Sequence, residues 1–415
     1  MSQACHNARP IDFGYELLGV RWGRIDFGGH NLHPQNTIGF IYGNSVDCAE
    51  PIINTRAAHF VDWHDTTVKR HQMNTHDSLS TFSQQRRKLL LGMTAATLPL
   101  GVASCSRTED SNLLVVGGLP VTCNLTLPIA CVGKAAAGTG GVGFQYSKYS
   151  GWPEIKESLM TGRIQAAYML APLVMDLTTK KIPLKIISLG HRSGAVIMVR
   201  TDSDYKTFSQ LKGKRIAIPS RFAVDFLFLR KMLAQENMTH TDIEIVEMPP
   251  PDMPAALYAN AVDAYCTGEP FGAAAQKAGY ARPLRMTRDE WRNYICCVLT
   301  VREELIQEQP EVVQDLVNHV MGAGAWLDQN MVNREKAVQI AAGRQFFNQD
   351  PNIIRFVMEN PEDRVTYGDM RMIKDEFNDL MELSIAAGTL TSPVAYESYV
   401  DETFVRNAKP VAITV

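Results

Sequence analysis

The sequence has no surplus of positive charge: 41 Lys and Arg stand against 44 Asp and Glu, a formal net charge of −3. That balance argues against a nucleic-acid partner, because little is available to neutralise phosphates. No apolar run reaches the roughly eighteen residues a membrane-spanning helix needs. The eight cysteines include no CxxC pair, and no Cys/His grouping has zinc-finger spacing. Catalytic signatures are missing too, with no GxSxG elbow and no HExxH. After Cys105 the only histidines are His191, His240 and His319, so neither a His-based triad nor a metal cage is expected. No enzyme activity, no catalytic residue and no bound metal follow from these patterns.

What remains is a chain of 415 residues, 45% hydrophobic and 20% charged, long enough for two or three domains and an ample core. The downstream cysteines read as small buried hydrophobes. Cys296 and Cys297 are adjacent, and a disulfide between neighbours is strained.

Residues 84–105, "QQRRKLLLGMTAATLPLGVASC", resemble an export signal set well inside the chain. Arg86 and Arg87 supply a positive start, and Leu89 to Val102 a moderately apolar stretch. Val102-Ala103-Ser104-Cys105 then fits a lipoprotein cleavage site, with the Cys105 thiol as the lipidation point. Gly92, Thr94 and Thr97 dilute the apolar stretch, which suits the twin-arginine route, although Gln85 and Leu89 depart from its usual pattern. The expected organisation is 1–72 as a non-native upstream extension, 73–105 as signal peptide and 106–112, "SRTEDSN", as a tether. Six of the ten histidines fall in 1–72. Translation from Met73 would give the signal a polar lead of ordinary length.

From Leu113 onward, short apolar strands alternate with amphipathic helices, the pattern of an α/β architecture with mostly parallel sheets. Two groups of alternation, divided near 200–204, predict two lobes: lobe 1 from 113–200 and 297–415, and lobe 2 from 201–296. The chain beyond Pro310 reads as helical and is expected to pack back on lobe 1. Two crossings, near 200–204 and 291–297, would form a hinge.

In open α/β sheets, ligands bind beyond the carboxyl ends of strands. The polar residues at those junctions are Thr122, Asn124, Trp152, Ser193, Ser220, Arg221, Asp225 and Glu269. Each has a plain structural alternative. Thr122, Asn124 and Ser220 can cap helices, and Trp152 can anchor a proline-started helix. Asp225 and Glu269 can simply complement a helix start. Their weight as ligand-binding candidates is collective, as junctions from both lobes directed at one cleft.

The stretches "KYSGWPEIKESLMTGRIQAAYMLAPLVMDL", "IVEMPPPDMPAALYANAVDAYCTGEPF" and "YICCVLTVREELIQEQPEVV" resemble the nitrate/sulfonate/bicarbonate family of ABC-transporter substrate-binding proteins. The likeness runs from about Leu113 to Met370. It implies a two-lobed type II periplasmic-binding-protein fold that closes on a small polar solute. It also implies ABC permease and ATPase subunits as partners and a periplasmic or cell-surface location. The anchor would be the Cys105 lipid, and a monomer is expected. Trp152 matches a pocket tryptophan of the nitrate/bicarbonate branch, whereas Asp225 falls where that branch tends to have histidine. Two acids, Asp225 and Glu269, would disfavour a bare anion unless protonated or bridged by a cation such as calcium. The alternatives are a thiamine-pyrimidine-precursor binder or related enzyme, for which the cysteine-rich motif is missing, and a periplasmic ligand sensor.

Overall fold

A computed structural model of the chain describes residues 113–415, apart from Thr139 and Asn293. The expected upstream extension, signal peptide, Cys105 lipidation site and tether lie outside the described residues.

The chain begins with β1 (Leu113–Gly118), a 3-10 turn (Thr122–Asn124), α1 (Thr126–Ala137) and β2 (Gly143–Lys148). It continues through α2 (Trp152–Met160), β3 (Ala166–Leu170), α3 (Ala171–Thr179) and β4 (Leu184–Leu189). After β5 (Arg192–Ser193) come β6 (Ala195–Arg200), β7 (Arg215–Ile218), α4 (Val224–Gln235) and β8 (Glu244–Glu247). Then follow α5 (Met253–Tyr258), β9 (Ala264–Gly268), α6 (Phe271–Lys277), β10 (Ala281–Met286) and the short α7 (Thr287–Glu290). The return strand is β11 (Cys297–Arg302), followed by α8 (Glu303–Glu308), α9 (Pro310–Gln329), α10 (Met331–Ala342) and α11 (Pro351–Glu359). The chain ends through β12 (Val365–Thr366), α12 (Lys374–Ala386), α13 (Tyr396–Tyr399) and α14 (Thr403–Arg406).

Local chemistry explains several of these boundaries. Gly138, at φ 58°, stops α1 in the left-handed conformation that a residue with a Cβ resists. Pro153 sits in the first turn of α2, where a missing N–H costs nothing. The Asp350 carboxylate caps α11 by accepting from the Asn352 N–H at 2.8 Å.

Two five-stranded sheets result, ordered β2-β1-β3-β11-β4 and β10-β6-β9-β7-β8. In the first, β1 runs parallel to β2 and β3, and β11 runs antiparallel to both β3 and β4. In the second, β7 runs parallel to β8 and β9, and β6 runs antiparallel to both β9 and β10. Each sheet thus has four strands in one direction and one reversed strand in the same relative place. The reversed strand is in each case the one that has just crossed from the other lobe.

That topology corrects the expected lobe boundary. Ala195–Arg200 belongs to the second sheet, so the outward crossing is at 190–194 rather than 200–204. The polar stretch that suggested a linker is a surface turn, held by the Thr201 N–H donating to the Tyr280 carbonyl at 2.9 Å. The return crossing falls between α7 and β11, where it was expected. The two crossings lie side by side: Arg192 bridges Ile295, and the Ser193 N–H donates to the Tyr294 carbonyl at 3.2 Å. Ser193 and Gly194 both adopt positive φ, 62° and 95°, so the outward crossing turns sharply.

The tail also departs from expectation. Helix α9 packs on α1 and α14 on β4, both in the first lobe, but α11 packs on α6 and α12 partly on α4, in the second. Between α11 and α12, β12 pairs with β5 at the hinge. The tail therefore holds both lobes and the hinge together. No described helix is long and apolar enough to cross a membrane.

Candidate functional site between the lobes

The end of β1 and the end of β9 meet directly. Thr122 donates to the Glu269 carbonyl twice, from its backbone N–H at 2.9 Å and from its hydroxyl at 3.0 Å. Thr122 is fully buried, as is Glu269. The two lobes are thus shut on each other at the junctions where a ligand was expected.

Four of the expected site residues converge on this seam. Asn124 follows Thr122 on the same turn; its Oδ1 accepts from the Leu119 N–H at 2.8 Å, and its buried Nδ2 has no described partner. Asp225 opens α4 from the second lobe and is buried. Its Oδ1 lies 3.5 Å from the Tyr294 hydroxyl, and its Oδ2 has no described partner. Burial pushes the Asp225 carboxyl well above the ordinary carboxylate range. Glu269 is engaged at both of its carboxylate oxygens. Its Oε1 is 2.5 Å from Nη2 of Arg364, itself buried, and its Oε2 accepts from the Ala273 N–H at 2.8 Å.

The other four are placed differently. Ser193 lies on the hinge, its hydroxyl 3.2 Å from that of Thr287. Ser220 serves locally, its Oγ accepting from the Phe222 N–H at 3.2 Å. Arg221 is exposed and pairs with Glu247 at 3.1 Å. Trp152 is 5% exposed within the apolar core. No hydrogen bond or ring contact among the described residues joins it to Asp225 or Glu269, and the cavity beside α2 is lined instead by Tyr149, Pro153, Glu154 and Arg163.

Sequence reasoning missed the residues that complete the seam. Arg364, Tyr367 and Arg192 belong to it through the tail. The Tyr367 hydroxyl donates to the Thr122 carbonyl at 2.9 Å. Arg192 donates to the Asp369 and Arg371 carbonyls at 3.0 and 2.8 Å and pairs with Glu376 at 2.9 Å. Cysteines form a second missed group. Cys123, Cys296 and Cys297 are buried with free thiols, and the Cys296 and Cys297 sulfurs are 3.7 Å apart. Hydrogen bonds from Cys123 and Cys296 hold the Cys297 thiol below its ordinary range, and hydrogen bonds with Cys296 and Cys297 push Cys123 up. Gly268 and Gly194 make room for the Cys123 sulfur, since a Cβ on either would lie 3.1 and 3.5 Å from it.

Two sheets of matching strand order, joined by a pair of adjacent crossings and buried polar groups at the seam, define the class of two-lobed periplasmic binding proteins. The chain belongs to the NMT1-like family, whose sequence model matches residues 107–342. It is 25% identical over 279 residues to the nitrate/nitrite binding protein NrtA of Nostoc sp., covering 62% of each chain. A solved ligand-binding component of an ABC-type import system from Staphylococcus aureus, crystallised with zinc bound, has the same fold. The TM-score is 0.66 at 24% identity, over 72% of this chain and all of that one. The periplasmic nitrate-binding protein NrtA from Synechocystis also shares it, with a TM-score of 0.64 at 20% identity over 71% of this chain and 87% of that one.

Proposed function

We propose that this chain is the extracytoplasmic solute receptor of an ABC importer of the nitrate/sulfonate/bicarbonate type. It holds a small polar solute between its lobes and delivers it, as a monomer, to a permease driven by an ATPase subunit. Anchoring through a lipid on Cys105, after export, is part of the same proposal. One observation carries the reading: two sheets of the same strand order are joined by two neighbouring crossings, 190–194 and 291–296. Such a ribbon lets the lobes part by changing a few dihedrals while each core stays intact. A solute that touches both lobes only when they are shut then shifts the population toward the shut form.

The seam chemistry revises the class of solute. A pair of ionised acids would favour a cation. Here burial raises the Asp225 carboxyl well above its ordinary range, which favours its protonated form, and Arg364 stands against Glu269, so the pair offers less repulsion to an anion or a carbonyl group. The Asn124 amide and a carboxyl whose protonated form burial favours suit an acceptor-bearing solute. Calcium finds poor oxygen ligands at this place, because both Glu269 oxygens are already engaged.

Thermal unfolding of the purified protein with nitrate, bicarbonate with and without calcium, sulfonates, amidines and pyrimidines tests the proposal. One class should raise the midpoint by linkage. A folded protein whose midpoint ignores all of them would count against a receptor. Metabolic labelling with palmitate tests the anchor; a Cys105→Ser variant that keeps the label would remove Cys105 from it.

A further inference from the structure

The seam holds a set of soft donors that a polar-solute receptor does not require. Ligand atoms of Cys123, His191 and Cys296 lie within 4.8 Å of one another, and all three residues are buried. They come from three places: the turn after β1, the outward crossing and the return crossing. Cys297 adds a further sulfur 3.7 Å from that of Cys296, close to the roughly 3.8 Å edge of a tetrahedron with metal–sulfur bonds of about 2.3 Å.

His191 is dressed for such a role. Its Nδ1 is 3.4 Å from the Arg192 carbonyl oxygen, and its Nε2 has no described hydrogen-bond partner in a fully buried setting. A ligating histidine commonly offers its second nitrogen to a backbone carbonyl in this way. His319 shares this pattern, with Nδ1 2.8 Å from the Asp315 carbonyl oxygen and Nε2 without a described partner, but among the described residues it belongs to no cluster of three potential ligands; Nδ1 of His240 lies 2.7 Å from an Arg230 guanidinium nitrogen at the surface. The other described cysteines are likewise accounted for. Cys131 lies in the α1 core, and the Cys266 thiol donates to the Asp225 carbonyl at 3.2 Å.

We propose that Cys123, His191 and Cys296, with Cys297 beside them, bind one thiophilic closed-shell cation, Zn2+ or Cu+, at the seam between the lobes. Thiolate and imidazole select such ions over calcium or magnesium. Each thiol that ligates releases its proton to solvent. Two thiolates balance the charge of Zn2+. The ion ties the first lobe's turn to both hinge crossings, so its occupancy favours the shut form. The site goes beyond the solute-receptor reading and does not depend on it.

Cobalt titration of the reduced, metal-stripped full-length chain is the direct test. A thiolate-to-cobalt charge-transfer band should saturate at one ion per chain, with the strong visible bands of tetrahedral Co2+, and Zn2+ should bleach it. Competition between Zn2+ and Cu+ under anaerobic conditions with calibrated chelators ranks the two ions. C123S/C296S should lose the band, His191→Asn should weaken binding at least tenfold, and Cys131→Ser should change neither. All of these proteins carry Cys5→Ser, Cys48→Ser and Cys105→Ser, so that the upstream histidines can bind cobalt but give no thiolate band. Absence of the band in the wild type, or an undiminished band in folded C123S/C296S, overturns the site. If the double variant does not fold, unchanged cobalt affinity in His191→Asn does the same. A solute-induced rise in midpoint without any cobalt band would spare the receptor reading and remove the metal. A cobalt band without a solute response would do the reverse.

Discussion

Glu269, at the end of the second lobe's β9, and Arg364, in the tail before β12, form an ion pair of 2.5 Å with both side chains almost wholly buried. The pair is the electrostatic lock of the seam. Arg364 also donates to the Asn360 carbonyl at 2.8 Å, so its guanidinium is fixed from two sides. Removing one partner of a buried pair strands the other charge, at a cost of about 3–5 kcal/mol. Arg364→Met should lower the unfolding free energy by about that much in urea titration. The double change R364M/E269Q should recover a substantial part. Equal losses in the single and double variants would show that the pair contributes through packing alone.

Asp225 gives the stability a pH signature. Its folded-state pKa is raised by burial, while in the unfolded chain it is about 3.9. Between those values the native state binds more protons than the unfolded one, so stability falls as pH rises through that window. Asp225→Asn should abolish this contribution. The thermal midpoint of the variant relative to wild type should therefore be higher at pH 8 than at pH 4. A difference that does not change with pH would mean that the carboxyl is ionised in the fold.

Gly324, within α9, tests the tail's hold on the seam. A Cβ there would lie 2.3 Å from the Tyr367 carbonyl oxygen, a backbone atom that cannot step aside cheaply. Gly324→Ala should displace Tyr367 and lose its hydroxyl contact with Thr122, destabilising by about 1–3 kcal/mol. Tyr367→Phe removes only the hydroxyl and should cost about 1 kcal/mol. Chemical denaturation of the two variants would check this order.

Trp152 separates core from pocket. Because it is packed in the apolar interior, Trp152→Ala should cost about 3–5 kcal/mol of stability. Trp152→Phe should unfold with a much smaller penalty and keep any solute-induced rise in the midpoint. Loss of that rise in a well-folded Trp152→Phe would return the residue to the binding site.

Much of the architecture was legible because buried sheet strands are short continuous apolar runs. Leu184–Leu189 is such a run, buried at all but one position. Strand β10 is harder to read because "ARPLRM" mixes Arg and Pro with apolar residues, a composition tolerated at the sheet edge it occupies. The lobe boundary was misplaced because Ala195–Arg200 is apolar enough for either sheet, and only pairing decides between them. Asp225 and Glu269 were found by the rule that ligands gather at strand ends. Their surroundings were not, since these depend on burial and on Arg364 far along the chain. The cysteine–histidine group was invisible for a related reason. Its members belong to three separate segments, and spacing rules recognise only neighbours.

The segment from Arg364 to Arg371 is fastened to everything that must separate: Arg364 to the second lobe, Tyr367 to the first, and β12 with Asp369 to the hinge itself. Lobes fastened this way cannot swing apart on their two connecting strands alone. Unlatching has to strip a third ribbon as well, so the rate of opening is governed by residues far from the junctions that face each other.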